Sequence, residues 1–295
     1  MRNKAKILFC LFLLLNTLYS QAQIMEIWGW KKLAETDMLC HYKYVHYNSV
    51  TEVYVTETTY LEISKSISKF YSYNTFEYDS LAYVPSGKKI LNDRFKECLR
   101  RSSKASEKDR MKILMEIPSR ESEFIIYKNY PEKEKILVQD AIAKEYYKYI
   151  EEMPLQSWKI EEDTMNIIGY PCQKAICKWR GREYVAWFTI DIPVNDGPYK
   201  FCGLPGLIMK VEDSEQLFCF TIQGIRKEKN KGIYLAKPRD DNKNEYKDAD
   251  RKEVLNKKAK NIRSMIRRLN HDMQQIGKAS QTSESRIDIM ERDYQ

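Results

Sequence analysis

The sequence predicts an α+β fold: a large curved antiparallel β-sheet in meander order, with a helical insertion and a C-terminal helix. Three observations carry that expectation. Apolar and aromatic side chains alternate with period two over most of the chain, the period of a strand with one buried face. The alternation stops over residues 86–116, where apolar residues recur three and four apart. From Leu255 to Ile276 the helical spacing returns as one continuous stripe. The 295 residues include 21 tyrosines against 10 glycines, which suits half-buried pleated surfaces. One α+β domain is expected over residues 23–277.

The N-terminus reads as a secretory signal. Arg2, Lys4 and Lys6 precede an apolar run, Ile7 to Leu15, too short to span a bilayer comfortably. Ser20-Gln21-Ala22 supplies small residues at cleavage-site spacing, so residues 1–22 are expected to be removed after Ala22 and the remainder exported to the periplasm or cell envelope. Cys10 follows Phe9 instead of a small residue, which argues against a lipid anchor.

Residues Ile24 to Ala34 are ambiguous. Leu39 to Tyr47 then places Cys40, Tyr42, Tyr44 and His46 on one strand face, and Thr51 to Ile63 repeats the pattern. Phe70 to Phe76 reads as a further strand. In the insertion, Leu91, Phe95, Cys98 and Leu99 share a helix face, and Ser106 with Asp109 resembles a capping box opening a second helix whose apolar face is Met111, Leu114 and Met115. Strands resume at Phe124 to Tyr127 and Ile136 to Gln139, joined by a hairpin connection at Asn129 to Lys133. Glu145 to Glu151 fits a strand somewhat better than a helix. Trp158 to Ile160, Ile167 to Tyr170, Cys172 to Trp179, Tyr184 to Thr189, Leu207 to Val211 and Phe218 to Gly224 complete the series of strands, expected to pair in sequential order. Lys237 to Asp250 is charged and turn-rich, and a helix is expected over 248–277, with Leu255, Ala259, Ile262, Ile266, Leu269, Met273 and Ile276 on its apolar side. Residues 278–295 are polar and expected to be a disordered tail.

Two reversals sit between the last strands. Asp196-Gly197-Pro198 is a turn signal. Leu204-Pro205-Gly206-Leu207 has the Pro-Gly order of a type II turn, which would hold Gly206 at positive φ. Its flanks, Leu204, Leu207 and Ile208, are apolar, so the turn is expected to press into the core. Gly203 to Ile208 spell GLPGLI, and the surroundings add Gly169-Tyr170, Arg180-Gly181-Arg182, Ala186-Trp187-Phe188-Thr189 and Gly197-Pro198-Tyr199-Lys200-Phe201, with Ser68 to Ser72 upstream. Over roughly residues 35 to 225 the chain resembles the GLPGLI family of Bacteroidota cell-envelope proteins. That resemblance implies an envelope location and a neighbourhood of TonB-dependent outer-membrane receptors, and it brings no catalytic residues. By analogy of fold alone, the cradle is similar to periplasmic lipoprotein carriers of the LolA type.

Loss of Arg2, Lys4 and Lys6 with the signal would lower the formal net charge from +8 to +5, which disfavours a nucleic-acid partner. Cys40, Cys98, Cys172, Cys177, Cys202 and Cys219 would remain, compatible with up to three disulfides or with small buried thiols; Cys172 and Cys177, an odd number apart, should not pair on one regular strand. Nucleophile-elbow, zinc-helix, Walker and C-x-x-C motifs are lacking, so neither an enzyme nor a cofactor is expected. His41 and His46, five apart on a strand, face opposite sides, which argues against a shared metal. Asp191, Asp196 and Asp213 admit a Ca²⁺ cluster, although the plainer reading has Asp196 capping its own turn and the others ending strands. Arg180 and Arg182 bracket a turn that could grip an anion or stand as an exposed hairpin tip. Trp158, Trp179 and Trp187 could line one concave face as core or as pocket. These five residues are the contact candidates of a non-enzymatic exported protein that binds an apolar ligand, a peptide or an outer-membrane receptor. The alternatives are a structural envelope protein that associates through its C-terminal helix, whose face of Lys257, Lys258, Lys260, Arg263, Arg267 and Arg268 also permits peripheral membrane contact, and an uncharacterised periplasmic enzyme.

Overall fold

The computed structural model describes residues 30–83, 85–106, 109–110, 113, 116–117, 119–153, 156–229, 231–238, 245–275 and 289–294. The expected signal peptide and the residues Met111, Leu114 and Met115 lie outside them.

Among the described residues the main sheet has twelve strands. A first series runs β2 (Met38–Asn48), β3 (Val53–Ile63), β4 (Ser68–Ser72), β5 (Ile125–Lys128), β6 (Lys135–Ile142) and β7 (Glu145–Glu152). A second runs β8 (Lys159–Ile167), β9 (Tyr170–Trp179), β10 (Arg182–Thr189), β11 (Leu207–Asp213) and β12 (Phe218–Lys227). Each series is an antiparallel meander. They are not joined in chain order: β2 pairs with β12, while β7 and β8 lie toward opposite edges, and two-residue β14 (Lys247–Asp248) adds a parallel fringe to β7. The strictly sequential order predicted from the sequence is corrected at this junction.

The junction bends the sheet. In a flat sheet β7 and β8 would stand ten interstrand steps apart, roughly 48 Å at about 4.8 Å per step. The six residues between them reach at most about 25 Å when fully extended. The sheet must therefore curl, and Arg180 at the end of β9 meets Glu151 of β7 at 2.6 Å.

The inner face encloses the main core. Tyr42, Leu61, Phe70, Ile126, Ile136, Tyr184 and Phe220 point into it, each at most 1 % exposed. The segment between β10 and β11 folds into the same space. Phe201 of that segment is buried against Tyr184, Trp179 and Tyr199, with ring centroids 4.8, 5.4 and 6.2 Å away. Lys128 of β5 anchors the segment through the Asp196 carboxylate and the Gly197 and Phe201 carbonyls. Part of the outer face is covered by a ribbon of β1 (Lys31–Glu35) and β13 (Gly232–Leu235) around Trp30, Tyr71, Tyr127 and Ala236.

Three described helices complete the fold: α1 (Tyr73–Tyr83), α2 (Pro85–Lys104) and α3 (Arg251–Gln275). The strand expected to run to Phe76 stops at Ser72. The Ser72 hydroxyl donates to buried Glu57 at 2.6 Å and accepts the Thr75 amide at 3.3 Å, so it caps α1 instead of continuing the ladder. On α2, Cys98 is buried while Phe95 and Leu99 are 45 % and 42 % exposed, so only part of the expected apolar face is covered. The Ser106 to Asp109 cap is present, with the Asp109 amide 3.2 Å from the Ser106 hydroxyl.

Leu204, Leu207 and Ile208 are buried as expected. The backbone assignment at Gly206 is corrected: positive φ falls on Gly203, at 94°, and not on Gly206. Gly206 is needed for room, because a Cβ there would stand 2.0 Å from the Thr189 carbonyl oxygen.

None of the six described cysteines is joined in a disulfide. Burial pushes Cys172 up to about 11 and Cys177 up to about 12, and it raises Cys40 and Cys219 as well. Little thiolate therefore exists at neutral pH. Iodoacetamide applied to the native protein at pH 7.5 is expected to modify at most Cys219, and unfolding should expose the rest; rapid labelling of Cys172 or Cys177 in the native state would contradict this packing.

Candidate functional site

Residues 289–294 return to the inner face of the sheet. Ile289, Met290, Glu291 and Tyr294 are all less than 9 % exposed, which corrects the expected disordered tail for this segment; residues 278–288 lie outside the described set. The expected tail boundary hid a core element.

Glu291 is the centre of a buried ionic network. One of its oxygens accepts from Lys200 Nζ at 2.6 Å and from the Tyr199 hydroxyl at 2.7 Å, and the other accepts from Arg251 Nη1 at 2.8 Å. Lys200, fully buried, also donates to the Tyr149 hydroxyl at 3.1 Å and to Glu151. Asp293 receives Arg180 at 2.9 Å and Arg251 at 2.9 and 3.0 Å. Burial alone would raise both carboxyls; Lys200, Tyr199 and Arg251 hold Glu291 below its ordinary value, and Arg251 with Arg180 does the same for Asp293. Burial would likewise lower Lys200, but Glu291, Tyr149 and Glu151 outweigh it and keep the ammonium charged.

Two spaces adjoin this network. A cleft of about 630 Å³ opens at the seam where the curled sheet's ends approach, lined by Tyr149, Ile150, Glu151, Arg180, Arg251 and Asp293. A second space of about 430 Å³, partly open to solvent, lies between the inner face of the sheet, α3 and residues 289–291. Tyr44, Phe124, Val138 and Phe218 line its sheet side, and Leu255, Ile262 and Met265 its helix side. Lys258, paired with Asp140 at 2.7 Å, contributes a cation to its wall.

The sequence candidates divide by face. Arg182 pairs across the ladder with Trp179, so both point inward. Trp187, five residues beyond Arg182, projects outward beside Lys174 and Lys210 and is only partly buried. Trp158 is half-buried and donates its indole N–H to the Cys202 carbonyl at 2.7 Å. The three tryptophans therefore do not share one face. Arg180 and Arg182 are not an exposed tip: Arg182 is buried, bound to Asp213 at 2.8 Å and to the Ile289 carbonyl at 3.0 Å, while Arg180 bridges Glu151 and Asp293. Asp196 serves Lys128 and its own turn, Asp213 serves Arg182, and Asp191 is exposed, so the three aspartates are not gathered. Among the described residues no group of three or more His, Cys, Asp or Glu side chains is placed to hold a metal.

Lys200, Arg251, Tyr149 and Glu291 stand in the site without belonging to the sequence candidates. Lys200 carried a signal, because a lysine between Tyr199 and Phe201 in an apolar turn region must find a buried counter-ion.

Residues 178–210, which span the end of β9, β10, the inward segment and the start of β11, match a family model described as a protein of unknown function, Porph_ging. No curated protein matches the chain. Among solved structures, PNGF-II in a C2 crystal form is similar at 14 % identity with a TM-score of 0.45, covering 76 % of this chain and 32 % of that one. The P21 form gives 13 % identity and a TM-score of 0.44, covering 77 % and 34 %. The chain thus spans about a third of the length of these structures.

Proposed function

We propose that the protein is an exported, non-enzymatic binding protein that holds an apolar ligand in the cavity between the sheet and α3. The observation that carries this reading is the cavity itself: its size falls in the range of small-molecule sites, and one continuous part of its wall is aromatic and aliphatic, from Tyr44, Phe124, Val138 and Phe218 to Leu255, Ile262 and Met265, while Arg120, Glu121, Glu123, Asp140, Lys258 and Glu291 place charge around it. Export rests on the sequence of residues 1–22, and an outer-membrane receptor as partner rests on the resemblance set out above.

Native mass spectrometry of gently purified protein tests the reading. A co-purifying apolar molecule is the expected result. Met265, 46 % exposed on α3 where it borders the cavity, gives the specific control. Met265→Glu should reduce ligand occupancy by about tenfold or more, the cost of a charge against an apolar wall, while leaving the thermal midpoint nearly unchanged. Protein that emerges empty and fails to take up a fluorescent fatty acid would overturn it.

A second reading is peripheral membrane contact through the distal half of α3, favoured by the exposure of Met265 and Leu269 beside Arg267 and Arg268. Sedimentation with anionic vesicles, sensitive to Leu269→Glu, separates it from the first.

A further inference from the structure

We infer that the seat of residues 289–294 is a recognition site for acidic peptide segments of another polypeptide, and that the chain's own Glu291-Arg292-Asp293 is its tethered occupant. The segment also walls the neighbouring cavity through Ile289, Met290 and Glu291, and the inference does not require that cavity to hold an apolar ligand.

The segment is held as a peptide ligand is held. Its backbone is read by groups outside any strand ladder: Arg182 donates to the Ile289 carbonyl at 3.0 Å, the Tyr184 hydroxyl to the Met290 carbonyl at 2.7 Å, and Asn256 to the Tyr294 carbonyl at 2.7 Å. The Arg292 amide in turn donates to the Arg180 carbonyl at 2.8 Å. Backbone bonds of this kind supply affinity whatever the side chains, and pockets for alternate side chains supply selectivity. Ile289 and Tyr294 provide apolar anchors beside Leu255 and Ala259 of α3.

The charges specify the occupant. Without the segment, Arg180, Arg182, Lys200 and Arg251 face the carboxylates of Glu151 and Asp213, with Glu215 at 3.8 Å from Arg182. Glu291 and Asp293 bring two negative charges to these cations, and Arg292 of the segment takes up Glu215. Buried cations do not tolerate vacancy, so the seat exchanges one acidic segment for another in preference to standing empty. The cleft at the seam, which reaches Asp293 and Arg251 from the surface, gives a second segment its entry. The pattern recognised is two apolar residues followed by carboxylates two positions apart and an aromatic residue.

A fluorescein-labelled peptide, Ile-Met-Glu-Arg-Asp-Tyr, tests this by anisotropy against the whole chain and the whole chain carrying Glu291→Gln and Asp293→Asn. The tethered segment competes within the same molecule, so the double variant should bind the peptide at least about tenfold more tightly than the unaltered chain. Binding should weaken as salt rises. It should vanish for a peptide with Gln and Asn in place of its Glu and Asp. A chain ending at residue 288 should bind at least as well; if it fails to fold, the double variant, checked by circular dichroism, decides alone. A folded double variant that ignores the peptide, or that binds the Gln/Asn peptide equally well, overturns the inference. Concentration-dependent dimers in ultracentrifugation that disappear in the double variant would overturn it too, because the occupant would then be the segment of a second copy.

Discussion

Replacing Lys200 with methionine is expected to lower the unfolding free energy by about 3–5 kcal/mol, the usual cost of removing one partner from a buried ionic group. Lys200 is the shared cation of Glu151 and Glu291 and donates to Tyr149 from a position with no solvent contact. Its removal leaves Arg251 and Arg180 to serve two buried glutamates and Asp293 together. Because domains of this kind are stable by only about 5–15 kcal/mol, urea unfolding should move far to lower denaturant. An unchanged midpoint would show that the network carries no weight. The same network sets an acid limit. Glu291 and Asp293 are both held below their ordinary values of 4.5 and 3.8. Carboxyls with depressed pKa contribute stability above the unfolded pKa and lose it as pH falls through the folded one. Stability should therefore be level from pH 7 to about 5 and decline below about 4.5. Glu291→Gln with Asp293→Asn should flatten that decline, leaving the part due to Glu57 and Glu62, whose pKa values are also depressed.

Gly206→Ala is expected to destabilise the protein by about 3 kcal/mol, at the upper end of overpacking costs. The methyl group would overlap the Thr189 carbonyl, and neither partner is a flexible side chain that can swing away. A comparison with Gly206→Asn identifies the cause. Asparagine relieves a positive-φ requirement better than alanine does, so a conformational cause would make Asn the milder change. Steric overlap makes it at least as damaging. Differential scanning calorimetry of the two variants decides between them.

Most strands were legible because one buried face enforces alternation: Cys40, Tyr42 and Tyr44 on β2 announced their side of the sheet without knowledge of any partner. The inward turn was legible in position but not in conformation. Leu204 and Leu207 reported burial, whereas the demand on Gly206 comes from Thr189, which local turn chemistry does not include. Strand order is not legible at the junction that closes the sheet, where β2 pairs with β12. Sequential pairing is the economical rule, and nothing local to β7 or β8 says that β2 will pair with β12 instead. The ionic seat was invisible for a related reason. Glu291 meets groups 40 to 92 residues away, and six residues of mixed polarity show no periodicity. Locally, Arg180-Gly181-Arg182 reads as an exposed tip; the curled sheet buries Arg182 and leaves Arg180 24 % exposed while it bridges Glu151 and Asp293.

The β2 to β12 ladder, which sets Met38 beside Lys227, also governs how the protein is made. A chain emerging from the ribosome completes its first six strands long before the partner of β2 exists, and for that interval β2 offers bare amides and carbonyls to any neighbouring chain. Native closure depends on contacts between residues distant in the chain, a topology associated with slow folding. Polypeptides arrested before residue 218 should therefore be sticky, chaperone-dependent species, and yields from recombinant expression should respond more to synthesis rate and temperature than to changes on the exposed surface.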